Sequence, residues 1–195
     1  MSKINTAVAT DYIKYLQFIE ERKNSLDRTI VVCDKKNSRP DKLYKESKLI
    51  ADWVSNDIDL MIECNAADGK AFKFQFRAKQ FSDEPLFRLD SDGAAHRNSK
   101  FPLKIQQVTT PHFNKFNEHG RVIAYKTSQL KNENEAKAIQ NDINLGFAHF
   151  CYEGNIRYKE DDLSEISLVG SSNQLDLDFK DSPERDFLEN IHFNI

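Results

Sequence analysis

The chain has 195 residues, 39% of them hydrophobic, with fourteen Phe, six Tyr and a formal net charge of −3. That length suits one domain with a small appendage, and the aromatic content suffices for one core. Six Gly and five Pro exclude collagen-like or low-complexity character, and the small net charge excludes whole-molecule attraction to DNA, RNA or anionic membrane.

In chain order, Thr10 is a candidate N-cap for a helix over residues 11–22, with Tyr12, Ile13, Leu16, Phe18 and Ile19 as its apolar stripe and Asp11 in its first turn. Residues 30–33 form a short β-branched run, 34–40 a charged loop, and Leu43, Leu49, Ile50 and Trp53 suggest a second helix over 42–53. Ile58, Leu60, Ile62 and Cys64 alternate with Asp59, Met61 and Glu63, the period-two pattern of a half-buried strand. Asp68 and Gly69 make a turn, and Phe72, Phe74 and Phe76 alternate with Lys73, Gln75 and Arg77 in the return strand, so this hairpin has one aromatic and one basic face. Residues 86–90, 111–116 and 121–126 are three further strands, with turns at 90–93 and 118–120. Asn132 or Asn134 caps a long helix over 133–151, whose core stripe is Ala136, Ile139, Ile143, Phe147 and Phe150. After Asp161 the chain becomes rich in Ser, Asp and Asn, with an edge strand expected at 175–179 and a docking segment at 187–195.

These elements predict an α+β domain over 1–155, an antiparallel sheet of about five strands packed by two or three helices, followed by an acidic extension over 156–195 that is partly ordered or docks on a partner. Cys33, Cys64 and Cys151 are odd in number and have no paired spacing, which disfavours both a disulfide framework and a zinc knuckle. No window approaches the roughly 18 apolar residues of a membrane span and no signal-peptide stretch is present, so a cytoplasmic location without membrane contact is expected.

The chemistry concentrates between residues 86 and 116. Arg88 and Asp90 share one strand face, His112 and Asn114 share another, and His96, Arg97 and Asn98 lie in the loop between. Converging, these groups would supply a His general base with a carboxylate partner, a second His as acid, and an Arg for a phosphorane-like transition state, as metal-independent RNA cleavage requires. Asp90, His96 and His112 could alternatively hold a divalent metal, a weak signal because their spacing matches no helical metal motif. In the bland reading Arg88 and Asp90 form a surface ion pair and the histidines bond loop backbone. Lys73 and Arg77 on the basic hairpin face would bind RNA, since bases outnumber acids about two to one from Lys70 to Lys131. Gly-rich phosphate loops, nucleophile elbows and zinc-protease helices are absent from the sequence.

Residues 58–155 resemble an uncharacterised bacterial domain family with an Arg-x-Asp strand, a Gly-x-x-His-Arg-Asn loop and a Pro-His-x-His strand. The matching positions are Arg88 and Asp90; Gly93, His96, Arg97 and Asn98; and Pro111 and His112, with Asn114 standing where the family has its second His. The family is distantly similar to the compact toxins of toxin–antitoxin systems. Taken with the residue cluster and the basic hairpin face, the resemblance implies a toxin or phage-defence ribonuclease with Arg88, Asp90, His96 and His112 as catalytic residues and Arg97, Asn98 and Asn114 as binding residues, to which the hairpin face adds Lys73 and Arg77. It would need no metal or cofactor, and its partners would be RNA, a cognate antitoxin-like protein or a second copy. The alternative is a non-catalytic protein-interaction module of a defence or counter-defence system.

Overall fold

The computed structural model describes residues 4–36, 39–51, 57–98 and 106–169. Two short helices lead, α1 (Thr6–Thr10) and α2 (Tyr12–Glu20), followed by strands β1 (Lys23–Ser25), β2 (Thr29–Val32), β3 (Asp34–Lys36), β4 (Arg39–Ile50), β5 (Ile58–Asn65), β6 (Lys73–Ala78) and β7 (Phe87–Asp90). A small hairpin, β8 (His96–Arg97) and β9 (Gln107–Val108), precedes β10 (His112–Phe116) and β11 (Val122–Tyr125). Helices α3 (Ser128–Lys131), α4 (Glu133–Asn141) and α5 (Ile143–Glu153) come next, then β12 (Ile156–Arg157) and β13 (Glu165–Leu168).

The five-stranded antiparallel sheet expected from sequence is overturned. The described chain is mostly sheet: nine strands curl into a half-barrel in the order β11-β10-β7-β6-β5-β4-β1-β12, with β3 also on β4. The sheet is mixed, because β1 runs parallel to β12 while its other pairs are antiparallel, and β2 and β13 make a separate parallel pair. Five small helices accompany it among the described residues. None is long and apolar enough to cross a membrane.

The expected helix over 42–53 is, up to Ile50, the twelve-residue strand β4. Its core-facing positions are Leu43, Ser47 and Leu49, so a serine interrupts the apolar alternation. Leu43 and Leu49 are six apart, an even spacing that puts both on one face of a strand but about 120° apart around a helix. Its charges are answered across the sheet, where Lys48 pairs with Asp59 and Arg77 with Glu46. The expected single helix over 133–151 breaks at Asp142, whose carboxylate caps α5 by accepting from the backbone of Asn144 at 2.8 Å and Leu145 at 3.0 Å. Asn132 caps α4, and Asp11 rather than Thr10 caps α2. The expected elements at 175–179 and 187–195 lie outside the described residues.

One face of the sheet carries the core. Phe74, Phe76, Phe87 and Phe113 stack across β6, β7 and β10, and Phe147 and Phe150 of α5 pack on them. Gly146 lets α5 come this close: a Cβ there would overlap the Phe72 ring. Tyr15 ties α2 to the strands beside the candidate site. Its hydroxyl donates to the Leu86 carbonyl at 2.9 Å and accepts from the Phe116 amide at 3.0 Å.

Candidate active site

With Phe74, Phe76, Phe87 and Phe113 committed to the core, strand alternation sends Lys73, Gln75, Arg88, Asp90, His112 and Asn114 to the opposite face. The register then decides who meets whom. Asp90 lies between Lys73 and His112 in one cross-strand row, and Arg88 lies between Gln75 and Asn114 in the next.

Asp90 is the hub, buried to 7% exposure. Its Oδ2 accepts from Arg88 Nε and from Asn114 Nδ2, both at 2.8 Å. Lys73 Nζ is 3.7 Å from the other oxygen, and His112 Nε2 is 3.6 Å from Oδ2, too long for a direct hydrogen bond but close enough for charge to be felt. His112 is 2% exposed. The Thr109 backbone favours its charged form, yet no hydrogen bond of normal geometry reaches Nδ1. Asp90 Oδ1 and Asn114 Oδ1 are likewise buried without a hydrogen-bond partner.

His96 arrives from β8. Gly93, at φ +117°, makes the preceding turn in a backbone region that L side chains rarely enter. The β8–β9 hairpin then lays His96 against His112, ring centroids 6.2 Å apart and planes at 65°. Burial lowers the pKa of both imidazoles, with Arg88 pushing further down and Asp90 opposing for each. Both rings are therefore neutral at pH 7.

Asn98 is tied to backbone. Its side-chain amide donates to the Ala124 carbonyl at 2.8 Å and accepts from the Ala124 amide at 2.9 Å, so it pairs with edge strand β11 as a neighbouring strand would. His96 also bonds the Val122 backbone of that strand. Arg97 faces outward and bonds Gln106 at 3.2 Å. Arg77 stands apart from this cluster, held by Asp59 at 2.9 Å and Glu46 at 3.5 Å. The structure thus brings together Lys73, Arg88, Asp90, His96, His112 and Asn114, and not Arg77 or Arg97. The hairpin face expected to be basic is a checkerboard in which β5 supplies Asp59 opposite Arg77 and Glu63 opposite Lys73.

Beside the row, Arg88 and Asn114 form part of a cavity of about 260 Å³ completed by Glu84, Pro85, Lys115, Phe116 and Val122. Sequence reasoning missed this rim, although Glu84 and Pro85 lie just ahead of the Arg-x-Asp strand. Among the described residues no three His, Cys, Asp or Glu side chains are grouped to hold a metal ion. No family model matches the chain, and no curated protein or solved structure matches it significantly.

Proposed function

We propose that this protein is an RNA-directed hydrolase of the toxin or phage-defence kind, working by metal-independent acid–base chemistry. The observation that carries this reading is the pair of neutral imidazoles, 6.2 Å between ring centroids, set against an Arg88–Asp90 ion pair. Cleavage of an RNA phosphodiester needs a base for the attacking hydroxyl, an acid for the leaving oxygen, and positive charge at the phosphorane. His96 is half-buried and is the imidazole that reaches substrate, while His112 lies behind it beside Asp90. Neutral His96 takes the proton of the attacking hydroxyl, and the imidazolium so formed returns that proton to the leaving oxygen. Arg88, with a side chain 31% exposed on the cavity wall, supplies the charge.

A second reading is a non-catalytic protein-interaction module, which the burial of Asp90, His112 and Asn114 and the neutralised hairpin face favour. Incubating purified protein with labelled RNA separates the two. Cleavage should persist in a chelator and drop by about 10²- to 10⁴-fold in His96→Ala, the usual worth of a proton-transfer group. Intact RNA with the wild type, together with harmless expression in bacteria, rejects the hydrolase and leaves the interaction module.

A further inference from the structure

On the polar sheet face Lys48, Lys73, Arg77 and Arg88 each pair with a carboxylate, which leaves Arg88 as the cation at the histidines and none of the other three as an unpaired charge to hold a strand. Lysines without such partners gather elsewhere. The β9–β10 segment, Lys126, α3 and α4 enclose a groove of about 650 Å³. Its floor includes the buried Leu130 and Ala136, and Lys126, Lys131 and Lys137 stand around it against a single acid, Glu133. None of these three lysines is ion-paired among the described residues. Partial burial lowers the pKa of Lys126, and an anion beside it would offset that loss of hydration.

The groove also backs onto the histidine pair. Val108, which pairs with His96 across the β8–β9 hairpin, lies in its wall. So do Thr109, whose backbone acts on His112, and Pro111, its immediate neighbour in the chain. One strand of chain therefore separates the two features, and a ligand crossing β9 would touch both. A polyanion suits this layout, because the groove is far larger than one phosphate needs and its charges are spread over Lys126 and two helices.

We infer that the groove anchors the phosphates of a single-stranded RNA whose scissile bond lies at His96, a reading that rests on the proposed hydrolysis. The experiment measures fluorescence anisotropy of a labelled oligouridylate, in a His96→Ala background so that the probe survives. Lys131 and Lys137 are exposed, so Lys131→Glu/Lys137→Glu should fold with an unchanged Tm. It should bind at least about tenfold more weakly, with a plot of log K against log salt shallower by about 1.4, two phosphate contacts at roughly 0.7 each. Lys14→Glu/Lys35→Glu, an equal charge change at exposed sites outside the groove, should bind like the parent. Unchanged affinity in the groove variant, or an equal loss in the control, overturns the anchor. Wild-type cleavage whose KM is insensitive to the groove charges removes this inference and leaves the hydrolase intact. Groove-dependent binding of RNA that is never cleaved keeps the phosphate anchor but rejects the hydrolase and, with it, the scissile bond at His96.

Discussion

The two histidines tie stability to pH at the residue scale. In the unfolded chain each has a pKa near 6.5; folded, burial holds both lower. Below pH 6.5 the unfolded chain therefore takes up protons that the folded rings refuse. The stability these neutral rings contribute is present above 6.5 and declines as pH falls through the folded values. Thermal melts from pH 7 to roughly 5 should show this decline, and His112→Gln, which keeps a polar side chain but cannot titrate, should flatten it. A decline as steep in the variant as in the parent would show that His112 carries none of the linkage. Strand alternation alone puts Arg88 with Asp90 and His112 with Asn114, so the members of this site are legible in the sequence. Their register is not. That His112 lies opposite Asp90, and that Asn114 bonds the same carboxylate oxygen as Arg88, depends on pairing between strands separated by more than twenty residues.

Among the elements, β11 shows what local pattern cannot reveal. It is an edge strand, and unpaired edges invite association. Asn98 covers Ala124 with one donor and one acceptor, so a single side chain replaces part of a missing strand. Asn98→Ala should leave both buried backbone groups unpaired and cost about 1–3 kcal/mol, whereas a surface change such as Arg97→Ala should cost under about 0.5 kcal/mol. Asn98→Asp should also destabilise, because a carboxylate cannot donate to the Ala124 carbonyl. Equal melting of Asn98→Ala and wild type would reduce the Asn98–Ala124 pairing to an ornament and free the His-Arg-Asn loop for a binding role. The strands with apolar alternation, β5 and β6, are legible from residue order alone, since each buries one face against the helices. β4 is not, because charged residues occupy much of its length and its partners in β5 and β6 are what make a strand tolerable there.

At the scale of the whole molecule, the end of the sheet farthest from the site is closed by Lys23, which is fully buried. Its Nζ donates to the carbonyls of Ile19 at 3.0 Å, Glu21 at 2.8 Å and Gly154 at 3.2 Å, and lies about 5 Å from the rings of Phe18 and Phe76. One side chain thus joins the C-terminal ends of α2 and α5 where β1 meets β12 in parallel. No sequence pattern announces such a lysine, because its acceptors are backbone carbonyls and one of them, Gly154, is more than a hundred residues away in the chain. Burial pulls its pKa down to about 7, with Glu21 opposing. The sign follows directly: between pH 7 and the ordinary lysine value of 10.5 the unfolded chain holds a proton that the folded amine has given up. Lys23 therefore makes stability rise with pH across that window. Lys23→Met should remove this rise and, by stranding the three carbonyls, cost about 1–3 kcal/mol at pH 7. Denaturant unfolding of both proteins at pH 7 and at roughly 9.5 measures the two effects separately. A variant as stable as the parent at pH 7 would mean that the carbonyls find other donors, and an unchanged slope would mean that Lys23 stays charged throughout.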